Sequence, residues 1–385
     1  MNKIICIAFI VLLIFPPVLA QKFIHPGVLH TPKEIEYIRM LVEKKTEPAY
    51  ASYLLLKEHK CAQFDYQSEG PFSVISRDGE YGHIKSKMEA DFSAVYLNSL
   101  MWVITGNEAH AEKSLNILNA YANTLTTIPE TNDAPLLAGL EGFKIIYALE
   151  ILKHTYKKVS QKELNNVSRM FKEIFMPIMD DFYAREPYTN GNWGVIVTKT
   201  YMAAGIFFDD RKMYEKAKDF YINGHDNGTI KNYISDTGQI QESGRDQGHC
   251  MLGIGAMATI CEIAWRQGDD LYSALDNRLL KGYEYVSKYN LGHDVPFITW
   301  TDITGKYNNW TKISEIGRGN FKPVFEICYN HYVNRKGLSM PYTKKVLEKI
   351  RPEGFDRDQP SFGTLLFNEN LQPLYTKYKK EYENN

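Results

Sequence analysis

Gln239-Ile-Gln-Glu-Ser-Gly-Arg-Asp-Gln-Gly-His-Cys-Met-Leu-Gly-Ile-Gly-Ala-Met-Ala-Thr-Ile-Cys-Glu-Ile-Ala-Trp265 begins polar and ends apolar. From Cys250 to Trp265 the run reads as a buried helix, apolar on every side. Its mouth holds Glu242, Arg245, Asp246, Gln247 and His249. Burying a charge without a partner costs several kcal/mol. A polar cluster leading into a core helix is therefore a candidate site. About fifty residues upstream, Asn190-Gly-Asn-Trp-Gly194 opens another apolar helix in the same way.

Helical periodicity extends outward from these two stretches. Thr31-Pro-Lys-Glu34 is a capping box with proline at the first helical position. Ile35, Ile38, Leu41 and Val42 follow at helical spacing. Ser160-Gln-Lys-Glu163 repeats the signature before Leu164, Val167, Met170 and Phe171. The pattern predicts further helices near 87–105, 108–125, 137–155, 193–206, 211–223, 245–267, 270–288 and 321–334. Strand signals are short and confined to 229–241 and 295–300.

The breaks at Thr105-Gly-Asn107 and Phe208-Asp-Asp210 are short enough to make antiparallel helix hairpins. Roughly fifty residues per pair gives about six or seven pairs in one all-α domain, a spacing of stacked helical-pair architectures. An open solenoid would make a binding scaffold. A closed (α/α) toroid would gather helix-end loops around a cleft. Residues 190–194, 239–249 and 301–322 all fall at helix ends or in irregular connections, which suits the toroid.

Composition narrows the function classes. The 385 residues are 44% apolar and 24% charged, normal for a soluble globular chain. Lys3, the apolar run Ile4 to Phe15 and Val18-Leu-Ala20 read as a secretory signal peptide over residues 1–20. The mature domain is then 21–385, exported to the periplasm or beyond, with no membrane insertion expected. Removing Lys3 takes the formal charge from −1 to −2. That is no electrostatic footprint for nucleic acid. A polyanionic partner would need a local basic patch.

Cys61, Cys250, Cys261 and Cys328 remain. Four in so long a chain is no disulfide framework. Cys250 and Cys261 lie about 16 Å apart on one helix, too far to pair. All four read as buried thiols. Neither Cys-x-x-Cys nor His-Glu-x-x-His occurs, so no metal or other cofactor is expected.

Three segments carry residues suited to chemistry. Asn192 is either a helix cap or a carboxamide aimed into a cleft, with Trp193 as a wall. His249, four residues after Arg245, is either a satisfied core histidine or an acid–base group. Glu242 is placed to pair with Arg245, and Asp246 to cap nearby amides. In Tyr307-Asn-Asn-Trp-Thr-Lys-Ile-Ser-Glu-Ile-Gly-Arg-Gly-Asn-Phe-Lys-Pro323, Arg318 and Lys322 supply positive charge suited to carboxylates. Tyr307 and Trp310 supply stacking. The bland alternative for this segment is a solvated loop. The chain holds 26 tyrosines, whose rings suit sugar faces and core packing alike.

Five pieces together resemble the alginate-lyase-like superfamily of polysaccharide lyases. They are His25-Pro-Gly-Val-Leu-His-Thr31, Trp102-Val-Ile-Thr-Gly-Asn107, Asn190-Gly-Asn-Trp-Gly194, Gln241-Glu-Ser-Gly-Arg-Asp-Gln-Gly-His249 and Arg318-Gly-Asn-Phe-Lys-Pro323. The likeness spans nearly the whole mature chain and looks closest to alginate or glucuronan lyases with an (α/α) toroid. It implies β-elimination at a 4-linked uronic acid of an anionic polysaccharide. It assigns Asn192 to the substrate carboxylate and His249 to its neutralisation or to the base. Arg318 would bind the carboxylate or hold a tyrosine ionised. Trp193, Arg245, Gln247, Trp310 and Lys322 are the expected substrate contacts. Some relatives carry the catalytic tyrosine nine residues after the histidine, where this chain has Ala258. Tyr307 takes that role here, with Tyr329 in reserve.

Two other readings compete. A glycoside hydrolase on the same toroid would need two facing carboxylic acids, and Glu89, Asp91, Glu242 and Asp246 are available. A non-catalytic envelope glycan binder would call for a lipid-anchor cysteine or a solenoid. Cys6 lies inside the apolar run, not after a cleavage motif.

Overall fold

Two kinds of helix alternate along the chain, and their burial patterns decide where each one sits. The computed structural model describes residues 22–185 and 187–369. The predicted signal segment, 1–20, and the charged tail, 377–385, lie outside the described residues. In chain order the helices are α1 (Pro32–Glu43), α2 (Ala49–Glu58), α3 (Lys85–Thr105), α4 (Glu108–Thr124), α5 (Ala134–Thr155) and α6 (Gln161–Met170). A π turn, Phe171–Phe175, carries α6 into α7 (Met176–Ala184). Then come α8 (Gly191–Phe207), α9 (Arg211–Asn223), the short α10 (Ile230–Tyr233), α11 (Gln247–Arg266) and α12 (Ala274–Asn290). Last are α13 (Phe325–Tyr329), α14 (Pro341–Ile350) and α15 (Gly363–Leu366).

Every residue of α8 is buried, and so are nearly all of α5 and α11. Such helices have no polar face to turn to water and must line the inside. α9 buries only Tyr214, Ala217 and Tyr221, one stripe at helical spacing, so it lies outside. α3, α5, α8, α11 and α13 form the inner layer, packed in that order. α4, α6–α7, α9, α12 and α14 back them from outside. With α1 and α2 this makes six pairs among the described residues, an (α/α) toroid.

The ring closes through its ends. Arg266, at the end of α11, pairs with Glu34 of α1 at 2.6 Å. Ser52 of α2 donates to the Glu353 carbonyl, and α15 packs on α2. Because inner and outer helices alternate, all the inner helices start at one rim. The loops at that rim, including 187–190, 234–246 and 291–324, enclose the cleft.

Both expected capping boxes form, at Thr31/Glu34 and Ser160/Glu163. The expected strands do not become a ladder. Only isolated bridges occur among the described residues, Ile234 with Ile240 and Val74 with Thr127, and 230–233 is a helical turn. Residues 293–302 are irregular. Helices α2, α7 and α14 are short, and the periodicity over them is too brief to register. Proline at the first turn of α7 and α14 is the signal that marks them. α11 is long and apolar enough to cross a membrane, but its neighbours bury it. The four cysteines are free and buried, as expected.

Candidate active site

The site begins with a cap that the helix does not supply for itself. Asn190 holds the N-cap position of α8, yet its side chain makes no capping bond. Gln241, on another segment, accepts from the Gly191 N–H at 3.0 Å instead. Asn190 is thereby free to serve the cleft. A side chain at Gly191 would collide with Asn227 and Gln241, and one at Gly194 with Asp226. The two glycines let the 224–229 loop press against the first turn of α8.

The Asn190 Oδ1 accepts two donors: the Tyr307 hydroxyl, and Arg245 Nη1 at 3.4 Å. Tyr307 is held from behind. Its backbone N–H donates to Asp302 at 2.8 Å, and Asn227 Nδ2 donates to the other Asp302 oxygen at 2.7 Å. Its ring lies against Trp310, with centroids 4.3 Å apart. Trp310 in turn covers Gly244, where a Cβ would strike it.

Arg245 also reaches Glu242 at 3.4 Å and Asp246 at 3.7 Å. α11 starts at Gln247, so Arg245 and His249 do not share a helical face as their spacing predicts. Asp246, the N-cap, joins them instead. It accepts from the His249 backbone N–H at 2.8 Å and faces Nδ1 at 2.6 Å. Nδ1 is thus the protonated nitrogen. Nε2 meets no hydrogen-bond partner among the described residues, and the ring is 35% exposed. Burial opposes the Asp246 charge, but the bonds from His249 outweigh it and the carboxyl is held low.

Glu242 is fully buried, with one oxygen unpartnered. Burial pushes its carboxyl up, against Arg245 and His249. Burial also pushes up the Tyr307 hydroxyl, Glu242 adds to the rise, and Arg245 opposes both. The expectation that local positive charge makes the phenolate accessible is therefore not met here. Asn192 is 1% exposed on the first turn of α8, and its Oδ1 has no partner. A buried acceptor left unsatisfied costs about 1–3 kcal/mol and calls for a donor, from a water or a ligand.

Four expected contacts sit elsewhere. Trp193 is buried against Tyr188, centroids 5.5 Å apart, a packing residue and not an open platform. Gln247 is buried and ties down the loop. It donates to the Ser314 carbonyl at 3.0 Å and accepts from Asn290 at 3.0 Å. Arg318 stacks on Tyr289 at 4.0 Å and donates to the Tyr289 and His293 carbonyls. Its bonds shape the loop, and it touches neither Tyr307 nor His249. Lys322 is paired with Asp356 at 2.6 Å. Tyr329 is buried on α13 under Arg351. Sequence reading missed Asn190, although an Asn-Gly dipeptide entering a helix was its signal. A cavity of about 580 Å³, lined by Pro129, Thr131, Pro177 and Arg185, opens between the entry to α5 and the end of α7. No residue of the cluster lines it.

Comparison with solved structures returns the same architecture. An alginate lyase A1-III variant complexed with a tetrasaccharide superposes with a TM-score of 0.67 at 13% identity, over 89% of this chain and 94% of that one. Alginate lyase A1-III from Sphingomonas species A1 gives 0.63 at 14%, over 86% and 94%. An alginate lyase from Bacteroides ovatus gives 0.61 at 14%, over 90% and 100%. No curated protein matches in sequence. The alginate lyase family model matches residues 42–295, about two thirds of the chain. The chain therefore belongs to the alginate lyase family and is a polysaccharide lyase.

Proposed function

We propose that the protein cleaves a 4-linked polyuronate, alginate or glucuronan, by β-elimination at the 190–249–307 cluster. One observation carries this reading. A buried carboxamide with an unpaired oxygen (Asn192), an aspartate-oriented imidazole (His249) and a phenol (Tyr307) come from three segments to one rim. The N-termini of α8 and α11 meet at the same rim, and helix N-termini favour anionic groups.

The chemistry needs three services. The C5 proton is weakly acidic because the adjacent carboxylate resists further negative charge. Donors on that carboxylate stabilise the enolate-like intermediate. Asn192 and Arg245 are the groups for this. A base removes the C5 proton, and an acid protonates the departing O4. Tyr307, protonated and donating to Asn190, is the acid.

The base divides two readings. The family resemblance allows both: in the first, Tyr307 does both jobs and His249 neutralises the carboxylate. The His249–Asp246 pair favours a second: Nδ1 is tied, so Nε2 presents a lone pair to the cleft, as a base does. The pH–rate profile separates them. A tyrosine base gives a rate still climbing at alkaline pH, since its hydroxyl is pushed up. A rate that does not follow the phenol's ionisation points to His249 as the base.

The test is ultraviolet absorbance on polymannuronate, polyguluronate and glucuronan, with reducing sugar measured alongside. A rise from the conjugated C4–C5 double bond is expected on one of them. Reducing ends released without that absorbance would replace the elimination with hydrolysis. We also infer that the apolar run at 4–15 exports the enzyme to where such polymers occur; cleavage after Ala20 in the secreted protein would be the mark.

A further inference from the structure

At the rim opposite the cleft, His25, Glu150 and His154 bring one ligand atom each to within 4.8 Å of one another. His25 belongs to the His-Pro-Gly segment before α1, a motif that the elimination chemistry does not use. Glu150 and His154 are one turn apart at the end of α5. Glu150 is 1% exposed. Its Oε1 lies 2.8 Å from His25 Nδ1 and accepts from the Gly27 N–H at 3.1 Å. Its Oε2 is buried, has no hydrogen-bond partner and lies 3.5 Å from His154 Nε2. His25 Nε2 meets Asp209 at 3.0 Å.

A second proton on His25 would serve Asp209 and Glu150 Oε1, but it leaves the buried Oε2 without a partner. If His25 donates Nε2–H to Asp209, its Nδ1 lone pair faces a carboxylate oxygen across 2.8 Å. Two acceptors that close need a proton or a metal ion between them. A proton on Nδ1 serves Oε1 alone and leaves Oε2 bare beside His154. A metal ion serves both imidazoles and the carboxylate at once.

We propose that His25 Nδ1, Glu150 and His154 Nε2 form a divalent transition-metal site of the zinc type. Asp209 orients His25 through its second nitrogen. Two imidazoles and a carboxylate are a donor set that zinc takes, and a carboxylate behind a ligating histidine is its usual support. Zinc ligand atoms stand about 3.3 Å apart, as bonds of roughly 2.0–2.1 Å in a tetrahedron require. The two rings are stacked, 4.5 Å between centroids and 11° between planes. Parallel rings cannot both point at one ion, so binding tilts the stack open. His154 is free to do this: it sits on the last turn of α5, with its side chain 24% exposed. The ion then clasps the 24–30 segment to the end of α5 and, through Asp209, to the end of α8.

The experiment is equilibrium dialysis of the untagged full-length protein against Zn²⁺, with thermal melting in parallel. His154→Gln removes a ligand that makes no hydrogen bond, so the fold is expected to stand. One Zn²⁺ per chain is expected, with binding at least tenfold weaker in His154→Gln and unaltered in His249→Gln. Zn²⁺ should raise Tm in the wild type and in His249→Gln, and much less in His154→Gln. Equal binding by wild type and His154→Gln, loss in His249→Gln, or no stoichiometric binding would overturn the site. Should His154→Gln not fold, Co²⁺ bound to the wild type decides: a tetrahedral visible spectrum supports the site and its absence rejects it.

Discussion

The Tyr307 hydroxyl donates to the Asn190 carboxamide oxygen, across 117 residues of sequence. This bond joins the segment that opens α8 to the loop after α12. It fixes the direction of the phenol, and Arg245 shares the same acceptor. Asn190→Ala should lower kcat about 10- to 100-fold, the scale of one misaimed catalytic group. Stability should change by under about 1 kcal/mol, because Gln241 caps the Gly191 N–H. Steady-state kinetics with a melting curve checks both. Full activity in the variant would make the bond incidental.

Tyr307→Phe should cut turnover about 10²- to 10⁴-fold, the range for losing a positioned proton donor. The ring keeps its place on Trp310, so Tm should hold to within about 1 kcal/mol of stability. Retained turnover would move the acid role away from Tyr307.

Asp246→Asn keeps the cap on α11, since asparagine is as good there as aspartate. It removes the charge that holds His249 Nδ1. A loss of about 10²-fold in kcat is expected, measured by steady-state kinetics. Unchanged kcat would show that the Asp246 charge behind His249 does not serve the rate.

Gly244→Ala puts a methyl where Trp310 packs. Overpacking costs about 1–3 kcal/mol, relieved when Trp310 and the Tyr307 ring shift. kcat/KM should fall tenfold or more, because sub-ångström placement governs the step. The readout is kcat/KM beside Tm; a stability loss with full activity would uncouple Trp310 from the site.

Glu262 sits fully buried among Arg266, Arg335 and the Tyr272 hydroxyl, at 2.5, 2.8 and 2.9 Å. Burial opposes its charge, but the two arginines win and bring the carboxyl down to about 2 from an ordinary 4.5. A depressed carboxyl contributes its full stability above the unfolded value and loses it as pH falls through the folded one. Glu262→Gln should cost about 3 kcal/mol near neutrality. The gap to wild type should narrow between pH 4.5 and 2. Denaturant titrations across that window test it, and a pH-independent gap would contradict the linkage.

The all-α class and the inner helices could be read from the chain alone. Burial on every side leaves α8 and α11 no polar face, so apolar composition announces them. Local capping chemistry was equally legible at Thr31 and Ser160, where donor and acceptor are three residues apart. Asn192 and His249 stand out because polar groups at the mouth of an apolar helix are costly without a purpose, whereas Tyr307 enters only through the family resemblance and the irregular segment it shares with Arg318. What each polar group meets was decided by the tertiary structure. Gln247 and Arg318 have the right chemistry for a substrate, yet their partners are the Ser314, Tyr289 and His293 carbonyls and the Asn290 amide, met where the 307–320 loop packs on the end of α12. Asn190 gained its role only when a distant glutamine took over its cap. Hydrophobic period is a property of a few neighbouring residues and survives in the sequence. Hydrogen-bond pairing across 117 residues depends on how the ring closes, and that exists only in the folded chain.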